Sequence, residues 1–304
     1  MSNIFDALQR AQGENAGADG LGLALATELL RSAEQRMRDS ALMVEPQPSV
    51  DAFDANPPAA ASSADVESCP VLPVSIRNES HLVSVAAEGS LAAEKFRFLA
   101  VRLRHLRQSR PLKKVLITST IPQEGKSTVS ANLACTLARR RNQKTLLLEG
   151  DLRRPNIVHQ FGVGKRAGLC EWLSGQTESI NIYKLESLGL WILPAGAAPQ
   201  NPLELMQSGK LSLLMDQLEA WFDWIVIDSP PILPLADTSL WSRLSDGILL
   251  VTRTGFTEKQ QLQRGLEAIE KSKLLGALVN SSAKVAHSDY YQRYGSSSAE
   301  QSKE

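Results

Sequence analysis

The sequence lacks the cysteine and histidine patterns that indicate a disulfide framework or a zinc site. Its 304 residues include three cysteines, Cys69, Cys135 and Cys170, which lie far apart and form no CxxC pair, and its four histidines show no ligand spacing. An odd, scattered set of cysteines is typical of proteins kept in a reducing compartment. We therefore expect a cytoplasmic protein.

The chain also lacks a long apolar run. No stretch approaches the roughly 18–20 apolar residues that a membrane helix requires, and the start, MSNIFDALQR, is too polar for a secretory signal. We expect no membrane span of its own. Disorder of the whole chain is excluded, because 43% of the residues are hydrophobic and can form a core.

Net charge is absent overall but unevenly distributed. The chain has 33 basic and 33 acidic residues, yet residues 1–75 hold only four of the basic and eleven of the acidic ones. An acidic segment before a basic body indicates a boundary near residue 75.

The acidic part reads as two segments. Apolar residues at helical spacing predict helices at 3–11 and 22–43, which together form a helical extension over residues 1–44. Residues 45–75 are rich in Pro, Ala and Ser and predict a disordered linker. The extension is either a docking module or a frayed tail, and the sequence favours neither.

Residues 76–284 predict an α/β domain. The segment LAAEKFRFLAVRLRHLR predicts a helix at 91–107 with one apolar stripe and one basic face. Strands alternating with helices, several of them apolar throughout, predict a doubly wound, mostly parallel sheet. The expected strands are 115–119, 145–149, 190–194, 224–228, 247–252 and 275–280, and the expected helices between them are 126–141, 202–220, 236–244 and 257–272.

The segment VLITSTIPQEGKSTVSANLA has the strand, loop and helix order of a phosphate-binding loop. Gly125 lets the backbone approach phosphates, and Lys126 reaches the β- and γ-phosphates. We expect Ser127 to bind Mg²⁺ through its hydroxyl and Thr128 to contact the α-phosphate. The strict pattern GxxxxGK[ST] is not met, because Thr120 stands at its first glycine.

Two later strands end in carboxylates. LLLEGDLRRP ends in Glu149 and Asp151, followed by Arg153, and WIVIDSPP ends in Asp228. The carboxyl ends of parallel strands share one edge of the sheet, so these groups are expected beside the phosphate loop, where Mg²⁺ needs oxygen ligands. Either segment alone would fit a solvated strand end, but the three motifs in this order predict a nucleotide site.

These motifs resemble those of the bacterial tyrosine kinases that accompany exopolysaccharide synthesis and export, within the MinD/ParA branch of P-loop proteins. The resemblance covers about residues 76–295. Residues 119–127 resemble the Walker A loop, LLLEGDLRRP resembles the acidic motif called Walker A′, WIVIDSPP resembles Walker B, and PQNPLEL resembles the NPxELL segment. The resemblance implies a P-loop NTPase fold and an ATP- and Mg²⁺-dependent tyrosine autokinase that regulates exopolysaccharide chain length or export.

The resemblance also implies roles for site residues. Glu149 takes the position of the Asp that orients or deprotonates the tyrosine hydroxyl, and Asn280 is expected at the adenine. The catalytic set is Lys126, Glu149, Asp151 and Asp228. The metal ligands are Ser127, Asp151 and Asp228, chiefly through water. The nucleotide-binding residues are Glu124, Gly125, Lys126, Ser127, Thr128, Arg153 and Asn280.

Three of the four tyrosines, Tyr290, Tyr291 and Tyr294, lie in a polar segment rich in Ser and Gly, which predicts a flexible tail over residues 285–304. Composition alone favours ordinary surface tyrosines. Behind this phosphate loop, the resemblance implies that they are phosphoacceptors.

The sequence departs from the family pattern at four positions. Glu149 is one methylene longer than the usual Asp, and Gln123 stands where many relatives have Gly. Ile121 replaces the signature lysine of MinD/ParA ATPases, which speaks against a partitioning ATPase. Ala100 replaces the last Arg of the ExxRxxR helix used for subunit contact.

The resemblance implies partners as well. They are a membrane-spanning polysaccharide chain-length determinant that activates the kinase and holds it at the inner face of the plasma membrane, further copies of the chain, and a phosphotyrosine phosphatase. No base-reading motif indicates nucleic acid. Two alternatives stay open: a MinD/ParA-like ATPase switch, and a nucleotide-sensing scaffold in which Glu149 has ended phosphotransfer.

Overall fold

The computed structural model describes residues 66–76, 81–140, 142–233 and 235–280. The predicted helices at 3–11 and 22–43 and the tyrosine-bearing segment lie outside these residues. Among the described helices, none combines the length and the apolar character needed to cross a membrane.

In the described part of the chain, seven strands form one sheet with the order β3-β4-β2-β5-β1-β6-β7. All neighbouring strands are parallel except β3 and β4. The strands are β1 (Lys114–Ser119), β2 (Thr145–Glu149), β3 (Tyr183–Leu185), β4 (Leu190–Leu193), β5 (Trp224–Asp228), β6 (Gly247–Arg253) and β7 (Leu274–Asn280). The mostly parallel sheet predicted from the sequence is confirmed.

The helices lie on both faces of this sheet. They are α1 (Val83–Ala86), α2 (Leu91–Ser109), α3 (Lys126–Ala138), α4 (Ile157–Gln160), α5 (Leu169–Leu173), α6 (Pro202–Met206), α7 (Lys210–Trp221), α8 (Asp237–Leu244) and α9 (Lys259–Glu267), with a short 3₁₀ turn at Glu186–Leu188. Alternate residues of a strand enter opposite cores: Leu146 and Leu148 pack with α7, whereas Leu147 packs with α3. Burial on both faces explains the continuous apolar runs in the sequence.

Three predicted helices differ in their bounds. The helix expected at 202–220 is two helices, α6 and α7, because Gly209 adopts a left-handed backbone with φ +76° just before α7. The helix expected at 257–272 ends at Glu267, and the one expected at 126–141 ends at Ala138. Short α4 and α5 and the antiparallel β3 were not predicted, since segments of three to five residues carry little periodicity.

The predicted linker ends earlier than residue 75. Val66 is 2% exposed within the core, and its carbonyl accepts a hydrogen bond of 3.0 Å from Nε1 of Trp191. Further on, Lys184 N donates to Pro70 O and Leu72 N donates to Lys184 O, both at 2.9 Å. Residues 66–76 therefore pack along the β3 edge as part of the domain, because their apolar side chains and backbone groups find partners there.

Candidate active site

The phosphate-binding loop runs from the end of β1 to the start of α3. Gly125 precedes α3 with φ +88°, a left-handed conformation that favours glycine. A Cβ atom at Gly125 would lie 2.1 Å from Nδ2 of Asn280, which donates to the Glu124 carbonyl at 2.9 Å. The end of β7 thus packs directly onto the loop, and only glycine leaves room for this contact.

Glu124, which the sequence assigned to the nucleotide, has its carboxylate buried inside the protein. Its Oε2 accepts from Ile121 N at 2.8 Å, and its Oε1 accepts from the hydroxyl of Thr257. These bonds fix the loop internally, so Glu124 shapes the loop and its carboxylate does not point at a ligand. Thr257 is not predicted from the sequence, because the TGFTE segment that carries it has no recognisable motif.

Two carboxylates lie side by side at the carboxyl edge of the sheet, as the sequence predicts. Glu149 and Asp228 are register partners at the ends of β2 and β5. Asp228 is 1% exposed and accepts from Ser130 Oγ at 3.1 Å. Burial raises the pKa of Asp228 to about 7, while nearby Lys126 and a hydrogen bond from Ser127 favour its charged form.

The phosphate-loop lysine reaches this edge. Lys126 Nζ lies 3.2 Å from Asp151 Oδ2, and Asp151 Oδ1 accepts from Arg154 N at 3.1 Å. Both side chains of the ion pair are largely buried. Lys126 is therefore a cation in a water-poor site, held by a carboxylate that a phosphate group can replace.

The donors at this edge suit a hard cation. Ser127 offers a hydroxyl, and Asp151 and Asp228 offer carboxylate oxygens, the ligand type that Mg²⁺ prefers. Among the described residues, no group of three or more His, Cys, Asp or Glu side chains could hold a metal ion. A Mg²⁺ ion at this edge would therefore depend on phosphate oxygens and water for most of its coordination.

Arg153 is oriented by a buried acid. Its Nε donates to Asp237 Oδ2 at 2.7 Å and its Nη2 donates to Asp237 Oδ1 at 3.1 Å. Asp237 is the first residue of α8 and is 1% exposed. This bidentate pair holds the guanidinium, whose side chain is 38% exposed, at the carboxyl edge where an anion can approach.

The carboxylate of Glu149 is engaged by backbone, which differs from the open carboxylate that a base needs. Its Oε1 accepts from Asn156 N and, at 2.5 Å, from Ile157 N, and its Oε2 accepts from Ala195 N at 3.0 Å. Glu149 is 0% exposed. Burial raises the pKa of this carboxyl, and the three amide hydrogen bonds oppose that shift.

A cavity of about 1220 Å³ opens beside the loop, next to Thr128 at the start of α3. One wall is formed by residues between Pro155 and Ala167, and the other by residues between Pro194 and Ala198, with Glu149 between them. A cavity of this size can receive a side chain as large as tyrosine. Thr128 and Glu149 both line it, so the cavity lies at the edge of the sheet where β2 ends and α3 begins.

Comparisons with known proteins agree with this geometry. No protein-family profile matches the chain. It is 34% identical over 219 residues to tyrosine-protein kinase YwqD of Bacillus subtilis (strain 168). The matched region covers 70% of this chain and 91% of that protein. It is 31% identical over 204 residues to the succinoglycan biosynthesis transport protein ExoP of Rhizobium meliloti (strain 1021), covering 65% of this chain but only 26% of ExoP.

A solved structure resembles the fold. The kinase domain of the Escherichia coli tyrosine kinase ETK superposes with a TM-score of 0.62 at 25% identity, over 75% of this chain and 97% of that domain. The match spans almost the whole kinase domain, so the described sheet and its loops have a counterpart there.

Proposed function

The chain belongs to the bacterial tyrosine-protein kinases, and from this premise we propose that it transfers the γ-phosphoryl group of ATP to its own tyrosines Tyr290, Tyr291 and Tyr294. The observation that carries the proposal is the meeting of Lys126 with Asp151 and Asp228 at the end of one phosphate-binding loop. In this proposal the acceptor of the phosphoryl group is a tyrosine hydroxyl.

The proposed reaction needs positioning and charge neutralisation more than covalent chemistry. Lys126 exchanges its Asp151 partner for the phosphates of ATP, whose backbone contacts come from Gly125 to Thr128. The oxygen of the acceptor tyrosine forms a bond to the γ-phosphorus, the bond from that phosphorus to the bridging oxygen breaks, and ADP leaves. The hydroxyl proton is released to a nearby carboxylate or water.

Mg²⁺ would be held by Ser127 and, chiefly through water, by Asp151 and Asp228. When bound, the ion offsets negative charge on the β- and γ-phosphates. Arg153 adds a second cation, kept in place by Asp237. We propose that Asn280 contributes through its bond to the Glu124 carbonyl, which sets the loop, in addition to the adenine contact expected from the family resemblance.

The fourth tyrosine is a poor acceptor. The hydroxyl of Tyr183 donates to the Ala167 carbonyl at 3.3 Å, and burial raises the pKa of this phenol. It also lies within β3, where the backbone is paired with β4. Because Tyr183 is held in this way, we propose the three tyrosines near the C-terminus as the sites of phosphorylation.

We further propose a role in exopolysaccharide chain length or export, supported by the similarity to ExoP. In this role the chain works at the inner face of the plasma membrane, bound to a membrane-spanning chain-length determinant that activates it. It assembles with further copies of itself, and a phosphotyrosine phosphatase reverses the modification. Each added phosphate brings about −1.5 to −2 charges, which weakens contact between like-charged subunits.

The test is an incubation of the full chain with ATP and Mg²⁺, without and with the cytoplasmic segment of a candidate chain-length determinant, in which ADP and phosphotyrosine are measured together. Two control variants are Lys126→Met and the combined Tyr290→Phe, Tyr291→Phe and Tyr294→Phe. We expect phosphotyrosine only in the unaltered chain. Release of ADP without phosphotyrosine would instead support an ATPase switch, and ATP binding without release would support a nucleotide sensor; either result contradicts the proposal.

A further inference from the structure

Glu149 connects two segments that are distant in sequence. One of its oxygens accepts from the amides of Asn156 and Ile157, at the start of α4, and the other accepts from Ala195 N, just after β4. Ile157 and Ala195 are each 0% exposed, so the carboxylate satisfies a buried backbone group in each of the two segments.

The two segments are the opposite walls of the 1220 Å³ cavity beside Thr128. Glu171 accepts from Gly168 N, one residue beyond the first wall, at 2.7 Å and from Ala197 N of the second wall at 2.8 Å. Glu149 differs from Glu171 because it bonds the start of the first wall, at Asn156 and Ile157, and because its position at the end of β2 connects both walls to the sheet.

The length of the side chain matters for this connection. An aspartate at residue 149 would hold its carboxylate about 1.5 Å closer to β2. It could not reach the amides on both sides without moving the walls. The extra methylene of Glu149 is therefore used in spanning the cavity floor, and the residue is 0% exposed, which leaves no surface for a tyrosine hydroxyl to approach.

We propose that Glu149 is a positioning residue that joins the two walls of the acceptor cavity, and that it is not the group that takes the tyrosine proton. The inference rests on the proposed kinase function, since it treats the cavity as the place where the acceptor tyrosine binds. Its consequence is that Glu149 governs how well the acceptor is held, and affects the transfer step only indirectly.

The test separates binding of the acceptor from transfer. The enzyme is the full chain with Tyr290→Phe, Tyr291→Phe and Tyr294→Phe, and the acceptor is the full chain with Lys126→Met. Into the enzyme we place Glu149→Asp or Glu149→Gln. A general base contributes about 10²–10⁴-fold to the rate, so a base role predicts that Gln lowers kcat at least a hundredfold with KM unchanged, while Asp retains activity.

The positioning role predicts a different pattern. Both substitutions raise KM for the acceptor about tenfold, because neither side chain can accept from all three amides, and kcat falls by less than tenfold even with Gln. Full activity with Asp and a hundredfold lower kcat with Gln would overturn the proposal. If the Gln variant does not fold, the Asp variant still decides, since it keeps a carboxylate and loses only the reach.

Amide hydrogen exchange supplies a readout that does not depend on activity. We expect faster exchange at Asn156, Ile157 and Ala195 in both Glu149 variants. The matched control is Glu171→Gln, which disturbs the bonds to Gly168 and Ala197 and should leave Asn156 and Ile157 as slow as in the unaltered chain. Unchanged protection in the Glu149 variants would overturn the proposal, whereas an unaltered enzyme that modifies no tyrosine would contradict the kinase function instead.

Discussion

At the scale of single residues, the site depends on carboxylates that are buried inside the protein. Asp228 and Asp151 are 1% and 4% exposed, and Lys126 lies against Asp151. Burial makes charged groups costly unless they are paired, and it makes their electrostatic effects strong when a phosphate arrives. These buried charges therefore lower the stability of the fold, and they provide charged groups that are already positioned for a phosphate.

This cost predicts a pH dependence of stability. The pKa of Asp228 is raised from 3.8 to about 7, chiefly by burial, so the folded protein binds this proton more tightly than the unfolded chain. The stabilising contribution of the protonated form is present below pH 3.8 and is lost as the pH rises through about 7. Asp228→Asn has no carboxyl group to ionise, so its stability does not fall in this pH range for that reason.

We expect Asp228→Asn to raise the free energy of unfolding by about 4 kcal/mol at about pH 8, because the pKa of Asp228 rises by about three pH units and each unit corresponds to about 1.4 kcal/mol, with no gain near pH 4. The measurement is urea unfolding of both proteins across this pH range, with EDTA and without nucleotide. A difference between the two proteins that does not change with pH would contradict the assignment.

The sequence predicts the side chains of the site better than their partners. Lys126, Asp151 and Asp228 follow from strand ends and one loop, because parallel strands bring their carboxyl ends to one edge. The three amides that bind Glu149 could not be predicted, since they belong to backbone whose path depends on α4 and on the turn after β4. A sequence motif identifies a carboxylate, but the tertiary structure determines which groups it hydrogen-bonds.

At the scale of elements, the phosphate loop depends on β7. Asn280, the last residue of that strand, donates to Glu124 O and fills the space above Gly125. The loop is also held from the β6–α9 connection through Thr257. The conformation of the phosphate loop thus depends on residues more than 130 positions later in the sequence, near the end of the domain.

Gly125→Ala tests this contact. The new Cβ would lie 2.1 Å from Asn280 Nδ2, so Asn280 has to release the Glu124 carbonyl and the loop loses a restraint. We expect nucleotide affinity to fall more than tenfold, measured by titration with ATP and Mg²⁺. The matched control is Gly209→Ala, at φ +76° with open space, which should cost about 1 kcal/mol in stability and leave affinity unchanged. Equal affinities of all three proteins would contradict the account.

The segment after β2 depends on α8. Asp237 holds Arg153 by two hydrogen bonds, and Asp237→Asn keeps the shape of the side chain but removes its charge. We expect the ATP concentration for half-maximal turnover to rise about tenfold, since Arg153 is no longer fixed. The second variant, Arg153→Lys, keeps the charge but loses the bidentate geometry and should show a similar change. Normal turnover in both would show that this pair does not serve the nucleotide.

Elements with strong periodicity were predicted well, and short ones were not. The bounds of β2 and β5 match the sequence, because an apolar run of three residues in β2 and of four residues in β5 ends in a carboxylate. The split between α6 and α7 was missed because LELMQSGKLSLL continues its apolar pattern across Gly209. Pattern alone does not tell whether such a glycine interrupts a helix.

At the scale of the whole molecule, the domain includes residues 66–76, here called the strap, most of which the composition places in the predicted linker. Val66 is 2% exposed and Val71 is 53% exposed, although both precede the first helix and share the same segment. A segment rich in Pro and Ser can still dock when its apolar residues meet an open sheet edge, here the edge formed by β3.

The strap gives a matched pair of substitutions in the full chain. Val66→Asp places a charge inside the core and should lower the free energy of unfolding by about 3 kcal/mol. Val71→Asp makes the same chemical change at an exposed position and should cost less than about 0.5 kcal/mol. Both values come from urea unfolding of the full chain. A Val66→Asp protein as stable as the Val71→Asp protein would place the domain boundary near residue 75 after all.

We expect this nucleotide site to phosphorylate the tyrosines near the C-terminus, and mapping phosphate to individual residues shows whether it does. The full chain is incubated with ATP and Mg²⁺ beside Lys126→Met, and all four tyrosines are read by mass spectrometry. We predict phosphate on one or more of Tyr290, Tyr291 and Tyr294, none on Tyr183, and none in the Lys126→Met protein. Consumption of ATP with all four tyrosines unmodified, or phosphate confined to Tyr183, would contradict the account.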